Sequence, residues 1–389
     1  MKFEAWLSET RRDFHKHPEL SHKEIRTTEK ISEILEELGL KIKKGLIKKD
    51  GINVGLVGLL EGEEKGRTLA LRADIDALPI DEKQRDGVDY ISENKGVMHA
   101  CGHDAHTTIM LGVAKHIVEN RIKFKGNVKF IFQPAEEVGT GAKEMIMKGV
   151  LDNPYVDRIL ACHVHPALNA GEVGIHKERA FALVDGIKFS LRGNGGHIAD
   201  TRSLGDPILA QAYLVNLLSD LNAENVNKES FSIRISKINA GEKVNIMPNA
   251  VELYGTFRGF KTEVRDGVKA RLYQICEDVR KSFGLEECEL DYFEGCPACI
   301  NERETSNFIR RISEHTVGEG NTKNLEPLFF GEDFAYFANE RPSSIILLGC
   351  AHEKGVAPRA HTSTFDIDEK VLKIGVDIFS KAVLEYLKK

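Results

Sequence analysis

At 389 residues the chain exceeds what one hydrophobic core usually organises, so two domains are expected. With 41% hydrophobic and 29% charged residues and a net charge of −6 of mixed sign, it reads as globular and offers no nucleic-acid surface. "MKFEAWLSETRRDFHKHPEL" has no apolar stretch or small-residue cleavage site, no run reaches membrane-spanning length, and seven cysteines suit a reducing, cytoplasmic setting.

In chain order, "TTEKISEILEELG" spaces Ile31, Ile34, Leu35 and Leu38 along one helical face, and Gly39 ends it. "INVGLVGLL", "RTLALRAD", "NVKFIFQPAEE" and "DRILACHVHP" read as short buried strands, each running into a polar loop. The rhythm then changes. Strand "DGIKFSLRG", helix "DPILAQAYLVNLLSDL", strands "SFSIRISKI" and "AVELYGTFRG", helix "EVRDGVKARLYQICEDVRKSF" and strand "ECELDYFEG" follow as β-α-β-β-α-β, a split-βαβ unit able to fold as an insert. After "CPACIN" helix "ETSNFIRRISEH", strand "SSIILLG" and a C-terminal helix restore the α/β texture. The expected fold is a discontinuous α/β domain, residues 1–182 and 294–389, carrying an inserted α+β, ferredoxin-like domain at 183–293.

Functional residues of open α/β sheets gather beyond the carboxyl ends of strands, and the polar loops here carry ligand chemistry. "RADIDALP" offers Asp74 and Asp76, "HACGHDAH" Cys101, His103 and His106, "QPAEE" Glu136 and Glu137, "ACHVHP" His163 and His165, and "RAHTSTFDIDE" His361. Thiolate, imidazole and carboxylate together suit zinc or another borderline divalent ion, whereas calcium and magnesium want oxygen. Gly102 between Cys101 and His103 lets both side chains turn toward one point. Of two adjacent glutamates, one can ligate a metal while the other takes a proton from water, a division that favours an enzyme over a storage or structural site.

Other features read as structural. Cys276, Cys288 and Cys350 suit buried apolar positions. "CPAC" at 296–299 has no helix start behind it and reads as a connection. His15, His17 and His22 lack zincin order. "GNGGH" has Ile198 where a dinucleotide fingerprint needs glycine.

"RRDFHKHPEL", "LRADIDALPI", "MHACGHDAHTT", "FIFQPAEE", "CHVHP", "GNGGH", "VNIMPNAVELYGTFR", "GEDFAYF" and "HTSTFDIDE" occur in the order found in one metallo-amidohydrolase family. The chain resembles, over nearly its whole length, the aminoacylase and zinc-carboxypeptidase family, in the branch of plant auxin-conjugate hydrolases, bacterial hippurate hydrolases and N-acetyldiaminopimelate deacetylases. The resemblance implies a zinc-exopeptidase-like mixed sheet with helices on both faces, an inserted lid and dimerisation domain, and two divalent ions per subunit: zinc first, with manganese, cobalt or nickel as alternatives. It implies Cys101, His103, Glu137, His163 and His361 as metal ligands, with Cys101 where the wider family has a bridging aspartate. It further implies Glu136 as general base, Asp76 as the acid orienting a ligand histidine, and His197 as an oxyanion donor that reaches a neighbouring subunit's site in related dimers. Asn245 and Arg258 would hold the substrate's carboxylate. This sequence departs from the pattern in three places: no leucine precedes the histidine of "CHVHP", no proline follows His361, and "IHKERAFALVD" replaces a small-residue hinge.

The expected activity is hydrolysis of N-acyl amino acids or short peptides by a cytoplasmic homodimer or homotetramer, without nucleic-acid or membrane partners. The alternatives are a metallo-aminopeptidase or dipeptidase, and a non-catalytic metal-binding protein.

Overall fold

The computed structural model describes residues 2–200, 205–224, 231–352 and 359–388. The chain divides into two compact units, one of Met1–Ala180, Ile300–Pro327 and Asp333–Lys389, the other of Phe181–Cys299 and Leu328–Glu332.

The first unit is built on an eight-stranded mixed sheet. Its strands lie in the order Lys41–Lys49, Ile52–Glu61, Lys125–Gln133, Glu64–Asp74, Arg158–Asn169, Ser343–Ala351, Val173–Ile175 and Thr322–Asn324. Four central neighbours, from Lys125–Gln133 to Ser343–Ala351, run parallel. Every residue of Ser343–Ala351 is buried, so both faces of the sheet are covered there, as parallel strands require. Helices Phe3–Lys16, His103–Glu119, Arg303–Val317 and Lys370–Leu387 supply much of that cover, with Leu7, Ile109, Ile309 and Phe379 in one core with Leu71 and Phe130. Strand Lys41–Lys49, "KIKKGLIKK", was not expected, because its lysines mask the alternation that marks a strand.

The second unit carries a four-stranded antiparallel sheet in the order Phe231–Ala240, Ala250–Gly259, Leu183–Arg192, Glu287–Cys296, with helices Pro207–Glu224 and Thr262–Phe283. Leu183–Arg192 alternates buried and more open residues, and Leu183, Ile187, Phe189 and Leu191 meet Leu214, Leu218, Leu272 and Val279 from the helices. Asp206 starts the first helix, its carboxylate accepting the Ile208 and Leu209 N–H groups just after Pro207. Chain order and strand order together are those of a ferredoxin-like sandwich. No helix among the described residues is long and apolar enough to cross a membrane.

Candidate metal centre

Two of the central parallel strands, Glu64–Asp74 and Lys125–Gln133, end together, and the segments beyond them deliver several of the ligand-type side chains. Glu64–Asp74 leads to Asp76, Lys125–Gln133 leads to Glu136 and Glu137, and Cys101 and His103 sit at the start of His103–Glu119. Gly102, with φ +96°, makes the corner between these last two. A Cβ there would lie 2.2 Å from Val164 Cγ2, so only glycine fits both the conformation and the space. His163 is not at a strand end as the sequence suggested. Arg158–Asn169 continues past it because Ser343–Ala351 pairs alongside as far as Asn169.

Cys101 Sγ lies 3.3 Å from His163 Nε2 and 3.3 Å from His361 Nε2. Two groups with ligand atoms close enough to hold an ion therefore share it: Cys101, His103 and His163, and Cys101, Glu137 and His361. His165, which spacing could not separate from His163, joins no such group among the described residues. His103 Nε2 lies 3.8 Å from Glu137 Oε1 and 3.9 Å from Glu136 Oε2, so the second glutamate borders the same space.

Supporting bonds fix the rings. His103 Nδ1 is 2.9 Å from the Asp76 carbonyl oxygen and 3.2 Å from its carboxylate, which leaves Nε2 facing the cluster. The other Asp76 oxygen accepts the Ser21 hydroxyl at 2.7 Å and the Glu137 N–H at 3.0 Å. His163 Nδ1 donates to the Val164 carbonyl at 2.7 Å, and the His361 N–H to the Ala100 carbonyl at 2.8 Å.

The site's chemistry fits divalent cations. His103 Nε2 and Glu137 Oε1 are buried without a well-formed hydrogen bond, which is costly unless something else takes their lone pairs. Burial, then Glu137, pushes the Cys101 thiol up, and burial pushes Glu137 up to about 7. Burial also opposes a charged His103, but Asp74 and Cys101 raise it well above the usual imidazole range. A cation bound there would compete with protons for these groups, and sulfur, nitrogen and oxygen in one cluster suit a borderline ion.

The second unit places His197 and Asn245 together: His197 pairs with Ile246 across a two-stranded ribbon, and the Asn245 carbonyl accepts the Ile198 N–H. Arg258 is elsewhere. It stands near the opposite end of Ala250–Gly259, with Nη1 donating to the Phe329 carbonyl at 2.9 Å. At about 3.3 Å of rise per residue, Ala250 and Arg258 are roughly 26 Å apart. One carboxylate cannot be gripped by both side chains of a single copy.

Sequence reasoning missed the buried polar frame beneath the cluster. Arg72 bonds Gln133, Asp74 and Asp333, and Arg11 with His15 holds Asp104. Of the three N-terminal histidines, His15 is fully buried between Asp104 and Glu82, His17 bonds the Asp13 carbonyl and His22 the Thr140 hydroxyl.

Comparison with known proteins finds similar sequences and folds. The sequence pattern of the peptidase family M20/M25/M40 matches residues 70–385. The chain is 35% identical to thermostable carboxypeptidase 1 of Saccharolobus solfataricus, covering 96% of this chain and 93% of that protein. It is also 35% identical to the N-acetyl-L-cysteine deacetylase of Bacillus subtilis, over 95% of this chain and 85% of the other. A crystal structure from Bacillus subtilis, described as a dinuclear metal binding peptidase of the M20 family, superposes with a TM-score of 0.83 at 31% identity, over 99% of both chains.

Proposed function

The chain belongs to the peptidase family M20/M25/M40, whose relatives hydrolyse amide bonds, and from that premise we propose that it cleaves N-acyl amino acids to a carboxylic acid and a free amino acid. The observation that carries the reading is the sharing of Cys101 between two three-residue groups, with Glu136 beside them. Cys101, His103 and His163 would hold one divalent ion and Cys101, Glu137 and His361 a second, zinc being favoured by the donor set and manganese, cobalt and nickel remaining alternatives. When bound, such ions polarise a carbonyl and make water acidic enough to attack near neutral pH.

The chain's own residues do the rest. Glu136 takes the attacking water's proton and delivers it to the departing amine nitrogen. Asp76 keeps His103 Nε2 turned to the cluster. His197 donates a hydrogen bond to the oxygen that becomes negative, and Arg258 presents its planar fork to the substrate's carboxylate. Because Arg258 and Asn245 are far apart within one copy, both can act on one substrate only if two copies of the chain contribute. A homodimer is the simplest such assembly.

The test is a panel of N-acetyl, N-benzoyl and indole-acetyl amino acids, with dipeptides bearing a free amine, assayed with each of the four metals. Turnover of the acylated compounds supports the reading. Turnover of free-amine dipeptides alone would replace it with an aminopeptidase or dipeptidase.

A further inference from the structure

Glu24 is a fully buried acid outside the metal cluster, at a place where its sequence neighbours, "SHKEIRT", read as solvated charge. It stands at the N-cap of Ile25–Glu37 yet makes no cap bond to that helix. Its Oε1 instead accepts the N–H of Ala135 at 2.8 Å, across 111 positions of sequence. Oε2 is buried without a well-formed hydrogen bond.

Ala135 has φ +57°, a left-handed conformation that a residue with a Cβ enters at a cost and keeps only when its surroundings hold it there. The turn is tight as well: Thr140 and Gly141 both donate to the Ala135 carbonyl, and a Cβ on Gly141 would lie 1.6 Å from the Pro134 carbonyl oxygen. Glu136 and Glu137 leave this turn directly. The Glu137 N–H is held by Asp76, so the two carboxyls of Glu24 and Asp76 grip the backbone on either side of Glu136.

We infer that Glu24 is a positioning residue for Glu136, holding the left-handed turn at Ala135 so that the base keeps its aim; this rests on the reading of Glu136 as the base. Burial, then the nearby Asp76, pushes the Glu24 carboxyl up to about 8, and a glutamine at this position keeps a side-chain oxygen able to accept the same Ala135 N–H.

The experiment is a double-mutant cycle between Glu24 and Glu136, with metal content and thermal midpoint measured on every protein and amide hydrogen exchange followed over residues 134–141. Glu24→Ala should lower kcat by roughly 10–100-fold, the range expected for a misaimed catalytic group, with KM little changed. Glu24→Gln should keep kcat and the wild-type exchange rate of the turn. In a Glu136→Gln background, Glu24→Ala should cost no further kcat, because its effect passes through the base. If Glu24→Ala does not fold, Glu24→Asp takes its place, being an acid too short to reach Ala135. Equal losses with and without Glu136, or equal behaviour of the alanine and glutamine variants, would overturn the inference alone. Wild-type kcat in metal-loaded Glu136→Gln would overturn the base assignment and the inference with it.

Discussion

His106 Nδ1 lies 2.6 Å from the Asp74 carboxylate, and both side chains are fully buried. The other ring nitrogen accepts the Val164 N–H at 2.8 Å, so His106 has no lone pair left for a cation although it stands beside His103 and His163. His106→Leu should therefore keep full metal stoichiometry at saturation. It should also lower the thermal midpoint, since each buried group deprived of its partner costs about 1–3 kcal/mol. Loss of one metal equivalent at an unchanged midpoint would make His106 a ligand.

Glu136→Gln should retain its metal and lose about 10²–10⁴-fold in kcat, the usual range for a missing general base. Parallel elemental analysis and turnover decide it. Near wild-type kcat with metal bound would remove Glu136 from the mechanism.

Cys101→Ser should lose affinity at both ion positions, because the residue is common to both groups and a hydroxyl ionises far less readily than a thiol. Dialysis against a weak chelator followed by elemental analysis measures this. Full occupancy with full activity would place the centre elsewhere.

Mixing inactive His197→Ala with inactive Glu136→Gln should restore partial activity if two copies build one site, since a mixed pair has one intact set. In the same assay format, wild type should prefer N-acetyl-methionine to N-acetyl-methioninamide, and Arg258→Ala should erase that preference without touching metal content. No recovery after verified subunit exchange would confine each site to a single chain.

His15 sets a pH dependence of stability. Burial and Arg11 oppose its charged form, but Asp104 and Glu82 outweigh them and raise it above 6.5. The folded state thus binds this proton more tightly than the unfolded chain does. The stabilisation is complete below pH 6.5 and is lost as pH rises through the higher folded value. The wild-type thermal midpoint should fall across that interval relative to His15→Gln, and parallel midpoint curves would show that His15 does not titrate there.

The ligand-type residues were legible because their chemistry is carried by side-chain identity: sulfur, imidazole and paired carboxylates mean much the same before and after folding. Apolar strands such as Ser343–Ala351 were legible from their unbroken hydrophobic run. Glu24, Arg72 and Asp333 were not. A charge in a sequence carries no mark of whether water or a distant partner will surround it, and Arg72 meets Asp333 across 261 positions. The reach of Arg158–Asn169 beyond His163 was hidden for a related reason, since a strand's end depends on the neighbour that pairs with it.

The lysines of Lys41–Lys49 have a colloidal consequence. An open sheet margin is a template on which another chain can add a strand. Here one margin of the large sheet is that lysine-studded strand, and the other is Thr322–Asn324, only three residues long. An incoming strand meets repelling ammonium groups on one side and too few backbone partners on the other. Both margins therefore disfavour growth of this sheet from molecule to molecule through its largest hydrogen-bonded surface.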